Sequence, residues 1–395
     1  MSNPSQQRLY YLDAVRALAL LLGVIFHASL SFMPMFIGWA VMDISTSSAV
    51  PVFVLISHCF RMVLFFLIAG FFTRMTQYRS GYIASRLKRL GIPFILGWFA
   101  LRPLLLSGWI MGSQSMQGDV AIDEGLMQGF SQLFDDSTAW FTGTHLWFLY
   151  YLLMFTVVAV IGHQLLSQVP RLKQPLTQFA DAGIATICNA WWGIFLLALP
   201  CAVILWFMQN WGIDTPDKTL TPDWPVTALY GLSFMVGWLL QRNSHLLITF
   251  SRLRWQTVVL AVVATAACVW VARHEGYVVD MRSALVKVAF VCSYALMMWT
   301  IIVLVLGLCR RAFSQPRRWV SYLSDASYWL YLVHLPVVIW LQIAVAELAL
   351  FWWLKWLMIC LGTIAISLLL YHTLVRSTCI GELLNGKRKS QVLTH

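Results

Sequence analysis

The sequence predicts an all-α integral membrane protein of about ten transmembrane helices, with the N- and C-termini cytoplasmic. Three observations carry that expectation. Sixty per cent of the 395 residues are hydrophobic and only 11% are charged, where ordinary soluble domains carry roughly 25% charged residues. Such a chain cannot cover a water-facing surface, and its mean hydropathy is +0.74. Several apolar runs exceed the roughly 20 residues needed to cross a bilayer core of about 30 Å. Lys and Arg, finally, fall in alternate connections between those runs, as the positive-inside rule requires of cytoplasmic loops.

In chain order the spans read as roughly 12–37, 51–73, 87–111, 145–167, 189–208, 225–241, 255–272, 284–308, 321–346 and 350–375. The sixth is short. The first begins within YYLDAVRALALLLGVIFHASL (Tyr10 to Leu30). It is too long for a cleaved signal peptide, starts with an acid, and lacks a small-residue cleavage pattern. One set of connections carries Arg74, Arg79, Arg86, Lys88, Arg89, Arg171, Lys173, Arg242, Arg252, Arg254, Arg310, Arg311, Arg317 and Arg318. Arg8 at one end of the chain and Arg376, Lys387, Arg388 and Lys389 at the other join that set. The opposite connections hold only Lys218, Arg273 and Arg282, and the one between spans three and four is acidic, with Asp119, Asp123, Glu124, Asp135 and Asp136. An even number of spans follows. No internal repeat, heptad run or low-complexity segment interrupts the pattern, and no connection is long enough for a soluble domain. Residues 1–395 therefore read as one polytopic domain. The net charge of +11 reports topology in such a chain, not a nucleic-acid partner. The eight cysteines are scattered and form no CxxC, so neither a metal site nor a disulfide framework is expected.

Asp13, Arg16, Arg61, Arg102, Lys287, Asp325, Glu347 and Lys355 fall within or beside the spans. Ionisable groups there cost about 2.5–3.5 kcal/mol each on insertion scales and are usually internal and functional. Arg102, Lys287, Glu347 and Lys355 lie near span ends and suit snorkelling to the interface. The others sort by depth, at about 1.5 Å per residue. Arg16 and Asp325 share an inner level and are placed to pair. His27, His58, Arg61 and His334 share a central-to-outer level, contributed by three different spans. A lone histidine in a span more often satisfies a backbone carbonyl than catalyses. An arginine near mid-bilayer is different, because it must meet a carboxylate, carbonyls, water or an anionic ligand. His145 and Trp147, in THLWFLYYL at the outer end of span four, suit either the membrane interface or contact with substrate.

Imidazole is the natural general base near neutral pH. A buried neutral histidine could take the proton from a sugar hydroxyl as that oxygen attacks a thioester. A neighbouring arginine could hold an acyl carboxylate or the developing oxyanion. In RLKRLGIP, Arg86 and Arg89 stand at i, i+3 on one helix face at the inner lip of span three, a placement suited to the phosphates of a nucleotide-bearing donor. Plain positive-inside anchoring explains the same residues. No Walker motif, GxSxG or HExxH occurs.

Taken together, these motifs resemble the acyltransferase-3 family of membrane acyltransferases. The spacing Arg16-x10-His27 looks like the signature at the start of that family. FRMVLFFLIAGFF (Phe60 to Phe72), SRLKRLGIPF, THLWFLYYLL and ASYWLYLVHLPV (Ala326 to Val337) resemble its later landmarks. Within the family the likeness runs to the branch linked to succinylation of osmoregulated periplasmic glucans. It covers nearly the whole chain and is strongest in spans one to four and nine. It implies a multi-pass protein of a bacterial inner membrane with no tightly bound cofactor. It further implies that acyl-CoA, as succinyl-CoA, is the cytoplasmic co-substrate, that a periplasmic glucan is the acceptor, and that the chain contacts the machinery that makes the glucan. It implies that His27 and Arg16 are the essential pair, with Arg86 and Arg89 on the donor side. His334 is the sole imidazole at its landmark, where some relatives carry two. Ala69-Gly70 stands where the family usually reads Ser-Gly, so no hydroxyl is required there. The site residues expected to act are thus His27, Arg16 and His334 in catalysis, Arg61, His58, Asp325, His145 and Trp147 at the substrate, and Arg86 and Arg89 at the donor.

Three alternatives stay open on the sequence. The acyl group and the glycan could be others of the same family. The chain could carry a glycan or lipid precursor across the membrane without acyl transfer, with His27 and Arg61 as a proton relay. It could also be a membrane scaffold without chemistry.

Overall fold

Long apolar runs without a partner in water close their backbone hydrogen bonds internally, and the helix is the open-chain way to do so in lipid. The computed structural model describes residues 10–116, 120–132, 142–274 and 281–386, with no side chains for 281–283. Arg8, Asp119, Asp135, Asp136, Lys387, Arg388, Lys389 and the side chain of Arg282 lie outside the described residues. Among the described residues there is no β-strand. The helices are α1 (Tyr10–Ser29), α2 (Ala49–Thr76), α3 (Tyr82–Arg86), α4 (Ile92–Ser115), α5 (Ile122–Ser131), α6 (Trp147–Ser167), α7 (Pro170–Asn189), α8 (Gly193–Trp206), α9 (Trp224–Arg242), α10 (Ser244–Phe250), α11 (Trp255–Ala272), α12 (Met281–Ala312), α13 (Arg318–Ala346), α14 (Trp352–Leu370) and α15 (Cys379–Asn385). A π turn at Leu87–Gly91 joins α3 to α4. The chain is an all-α integral membrane protein.

Eight helical stretches among the described residues are long and apolar enough to cross a membrane, and nine if α7 and α8 together make one bent span. The expectation of about ten differs from this at two places. The span expected at 189–208 is the 14-residue α8, and α7 before it bends away by 113°. Arg171 and Lys173, read as part of a connection, belong to the first turn of α7. The span expected at 225–241 is present as α9, 19 residues long, or about 28 Å by helical rise. Its apolarity falls short of that of the other eight. Its polar groups close on its own backbone, Ser233 Oγ donating to the Leu229 carbonyl at 2.9 Å.

One side of α9 makes a close approach to α2. A Cβ on Gly70 would run into the Phe234 backbone, and a Cβ on Gly237 into the Leu67 carbonyl. The two glycines let the helix backbones touch, which is how helices associate where lipid offers no hydrophobic drive. Around this contact lies the largest core, built from α2, α6, α8, α9, α11 and α12 with Phe66, Tyr151, Tyr230, Tyr294 and Trp299 at its centre. A second core joins α1, α4, α6 and α13. The connection between α4 and α6 is not simply a loop. Within it, α5 folds back on α4, and Gly125 and Gly129 sit against Met111, Pro103 and Ser107.

The basic residues collect at one end of this bundle. Arg74 of α2 meets His163 of α6 at 3.0 Å, Arg242 at the end of α9 pairs with Asp181 of α7 at 2.9 Å, and Arg310 of α12 donates to the Ser251 carbonyl. The residue pairs Asp13–Ser324 and Tyr322–Tyr371 bring the start of α1, the start of α13 and the end of α14 to the same end. Gly237→Val should therefore force α9 off α2. We expect a clear fall in the thermal midpoint of the purified protein in detergent, in keeping with overpacking costs of about 1–3 kcal/mol, whereas Gly183→Val, at an open position of α7, should change it little.

Candidate active site

Three helices carry the site, and each carries it in the same order. On α1 the residues of one face are Arg16, Leu20, Gly23 and His27. On α13 they are Ser324, Ser327, Tyr331 and His334. On α2, which runs the other way, they are Thr76, Thr73, Ala69, Phe65, Met62, then Arg61 and His58. The part of each face nearer the basic end lines one cavity of about 410 Å³. Arg16, Asp325, Arg86 and Arg89 supply its charged groups. The next part of each face supplies His27, seven residues beyond Leu20 on α1, His334, three beyond Tyr331 on α13, and Arg61 and His58, one and four beyond Met62 on α2; His145 joins them from the turn that precedes α6.

In that second layer the His27 and His334 ring centroids lie 5.3 Å apart, and His145 stands 6.2 Å from His334. Phe26 stacks on His58 at 5.6 Å, and the Arg61 guanidinium sits 4.2 Å over the same Phe26 ring. His334, His58, His145 and Arg61 are all within electrostatic reach of His27. Arg61 is only 6% exposed. Its Nη1, together with Nδ1 of His27 and Nδ1 of His145, has no hydrogen-bond partner among the described residues. Arg61 makes a cation–π contact and no ion pair among the described residues. A buried guanidinium without a carboxylate is costly and is the natural place for an anionic ligand.

The hydrogen bonds fix two tautomers. His334 Nδ1 lies 2.7 Å from the Tyr331 carbonyl and 3.1 Å from that of Leu330. A carbonyl only accepts, so Nδ1 carries hydrogen and, in the neutral ring, Nε2 holds the lone pair. His145 is the reverse. Its Nε2 meets the Leu332 carbonyl at 2.9 Å, which leaves Nδ1 as the base. His145 follows Thr144, whose φ of 46° is the one positive value among the described non-glycine residues. A β-branched residue in the left-handed region is strained, and such strain concentrates at functional sites.

His27 is held from outside the membrane core. Trp39, in the connection after α1, stacks on it at 5.6 Å and donates from Nε1 to Gln342 Oε1 at 2.9 Å. Gln342 Nε2 in turn donates to the His27 and Ala28 carbonyls at 3.0 and 3.3 Å. That connection is pinned by Asp43, which meets Lys355 Nζ at 2.7 Å. Lys355 also donates to the Ala346 carbonyl. Lys355 is 0% exposed, so it does not snorkel. It is one half of a buried ion pair across the outer ends of α13 and α14. Burial pushes the Asp43 carboxyl above the ordinary carboxylate range, against the pull of the Lys355 hydrogen bond.

In the inner cavity Arg16 pairs with Asp13, one turn back on its own helix, at 3.8 Å. Asp13 also accepts from Ser324 Oγ at 3.3 Å. Asp325 lines the same cavity as Arg16. Arg86 Nε donates to the Tyr82 hydroxyl at 2.9 Å. The Arg89 carbonyl accepts from the Tyr328 hydroxyl at 2.6 Å, and α15 closes one side of the cavity with Leu384 and Asn385.

Of the residues singled out in the sequence, the structure gathers His27, His58, Arg61, His145 and His334 in one layer, and Arg16, Asp325, Arg86 and Arg89 in the other. Trp147 goes to neither. It is buried in the aromatic core, stacked on Tyr230 at 5.7 Å, because it faces α9 while His145 faces α13. Arg102 is buried at 6% exposure, over the Trp98 ring at 4.6 Å, and so it does not snorkel either. Lys287 lies over the Trp206 ring at 5.3 Å. Sequence reasoning missed Trp39, Gln342, Asp43 and Tyr331. A tryptophan among many, a glutamine in an apolar run and an acid in a loop carry no periodic signal. Among the described residues no three His, Cys, Asp or Glu are placed to hold a metal ion.

A helical bundle with a basic cavity beside a buried imidazole layer defines a polytopic membrane protein. Residues 9–372 match the family model described as an acyltransferase domain, and the chain belongs to the acyltransferase-3 family of membrane acyltransferases. Its relatives include proteins named Glucans biosynthesis protein C. The one from Escherichia coli O157:H7 (strain EC4115 / EHEC) is 25% identical over 98% of this chain and 97% of its own. Those from Escherichia coli (strain K12) and Shigella boydii serotype 4 (strain Sb227) are 26% identical over the same shares. No solved structure matches the chain.

Removing the Lys355 ammonium should leave Asp43 buried and unpaired. Lys355→Met is expected to cost about 3–5 kcal/mol, read as a lower thermal midpoint in detergent. The double change Lys355→Met with Asp43→Leu should recover much of it.

Proposed function

We propose that this membrane acyltransferase moves an acyl group, succinyl in its natural reaction, from cytoplasmic acyl-CoA to hydroxyls of a periplasmic glucan. The observation that supports it best is the stacking of the two layers. A cavity lined by Arg16, Arg86 and Arg89 lies on the same three helix faces that carry His27, His58, Arg61 and His334. In this reading the basic end of the bundle is cytoplasmic, as the charge distribution of the connections requires. The donor's phosphates rest on Arg86 and Arg89, and Arg16 steers its anionic groups. The name shared by the relatives supports the glucan as acceptor.

The acceptor hydroxyl reaches His27 from the opposite face, beneath Trp39. His27 takes the hydroxyl proton as the oxygen attacks the thioester carbonyl. The carbon–sulfur bond breaks, and the proton passes to the departing thiolate. Arg61 holds the free carboxylate of the succinyl group. His334 supports the developing oxyanion or relays the proton, its ring held by the Tyr331 carbonyl. His58 and His145 flank the acyl group, and Asp325 balances the arginines of the cavity. Trp147 acts only through the core that supports α6.

Two measurements test this. Purified His27→Ala should insert and fold normally and lose acyl-CoA consumption by roughly 10²–10⁴-fold, the usual span of general base catalysis. Wild-type turnover by that variant removes His27 from the mechanism. Arg61→Leu should lose most of the preference for succinyl over acetyl donors, roughly ten- to a hundredfold for a charge-assisted hydrogen bond worth about 1.5–3 kcal/mol. Unchanged preference refutes the Arg61 role. If the protein consumes no thioester at all, the acyl-transfer reading fails. Mass analysis of the periplasmic glucans, with and without the protein, reads donor and acceptor together.

A further inference from the structure

We propose that Tyr331 is the gate between the two layers of the site, and that it sets both the size of acyl group that passes and the exclusion of water. The inference takes its chemical consequences from the acyl-transfer reading, while the barrier itself is defined by geometry alone. The wall has three members. Tyr331 lines the cavity, its ring packs at 5.6 Å on Phe148, and Phe148 packs at 5.6 Å on Phe65. All three residues belong to the cavity lining. The far side of the Tyr331 ring looks onto imidazoles, with His334 and His145 centroids each 6.2 Å away. No other residue both lines the cavity and makes a ring contact with the imidazoles, among the described residues.

Two hydrogen bonds make Tyr331 more than a plug. Its hydroxyl donates to the His145 carbonyl at 2.7 Å, which ties down the segment that follows the strained Thr144. Its carbonyl accepts from His334 Nδ1 at 2.7 Å, which fixes that ring's tautomer. A donor whose acyl end enters the cavity must push the Tyr331 ring aside to reach His27. Doing so breaks the bond to His145 and leaves the bond to His334 intact, because the carbonyl belongs to the helix backbone. Tyr331 is thus a positioning and specificity-determining residue. With the ring in place, water in the cavity is kept from the imidazoles, and a thioester there is not hydrolysed before an acceptor arrives.

A reporter tests the wall without requiring turnover. Gly23 lies between Leu20 of the cavity and His27 on the same face of α1, and a Cβ there has room, its nearest neighbour being Arg61 Nη1 at 3.9 Å. Gly23→Cys is expressed with Tyr331 intact and with Tyr331→Ala. Inverted membrane vesicles are treated with a small, charged, membrane-impermeant thiol reagent, and labelling is read peptide by peptide. The exposed Cys379 of α15 reports that the basic end faces the reagent. We expect Cys379 to label in both, and the cysteine at position 23 to label at least tenfold faster with Tyr331→Ala. Equal rates at position 23, fast or slow, overturn the gate.

The chemical arm uses the otherwise unaltered chain. Tyr331→Ala should hydrolyse acyl-CoA without acceptor, water attacking the carbonyl carbon and coenzyme A leaving as the thiol, and should accept bulkier acyl groups. Tyr331→Phe keeps the ring and loses the bond to His145. It should lower kcat severalfold with KM for the donor unchanged and with no added hydrolysis. If Tyr331→Ala shows neither hydrolysis nor broader donor range while the parent transfers normally, the specificity role is wrong. If the parent itself consumes no thioester, the acyl-transfer reading has failed and the labelling result still decides the gate.

Discussion

Everything in this bundle is arranged around one constraint: Arg61 keeps a buried guanidinium within a membrane-spanning helix with no carboxylate partner among the described residues. A group of that kind survives only if protein, not lipid, surrounds it on every side. Here α1 supplies Gly23 and Phe26, the first leaving room beside Nη1 and the second offering a ring face to the charge. On the α9 side Tyr230 lies within electrostatic reach of the guanidinium. The close contact of α2 with α9 at Gly70 and Gly237 lies about 13 Å further along α2 by helical rise and packs the two helices together nearer the basic end.

The outer side is held by a different kind of contact. Between α1 and α2 the chain crosses over His27, and two polar links fasten it there. Trp39 and Gln342 join the crossing to the α1 backbone at His27 and Ala28, and Asp43 joins it to Lys355. A buried ion pair is a weak source of net stability, because desolvation offsets most of the attraction. Its better-supported use is to fix register. The pair locates Trp39 over His27, and a hydrophobic pair of similar volume would hold the crossing down without fixing it along the chain.

Most of the spans were legible in the sequence because lipid imposes a length and an apolar composition that any run must meet. His27, Arg61 and His334 stood out in the sequence for the complementary reason: a polar group in such a run must be met by protein, and the structure brings all three into one buried layer. What was not legible is what depends on which helix neighbours which. The fold-back of α5 rests on Gly125 and Gly129 meeting α4, and the 113° bend between α7 and α8 rests on a short break at Ala190–Trp192. Neither leaves a periodic trace. Lys355 looked like a snorkelling residue because its partner lies 312 positions away. Trp147 looked like a neighbour of His145 because they are two residues apart. On the turn that opens α6, two residues is enough to face opposite cores.

The proposed acyl transfer asks for two incompatible environments, and α1 sets Arg16 and His27 eleven residues apart, about 16 Å by helical rise. Phosphate-bearing donors need arginine and access to water, while a thioester poised for transfer needs water kept out. Arg16, Arg86 and Arg89 answer the first need at the basic end. Imidazoles in opposite tautomers answer the second, with the free nitrogen of His334 on Nε2 and that of His145 on Nδ1. Backbone carbonyls set both tautomers, so neither ring depends on a carboxylate that would compete with an acyl anion for Arg61. In the proposed reaction the base and the anion-binding group work side by side without neutralising each other, the Asp214 carboxylate bearing on His58 instead of pairing with Arg61.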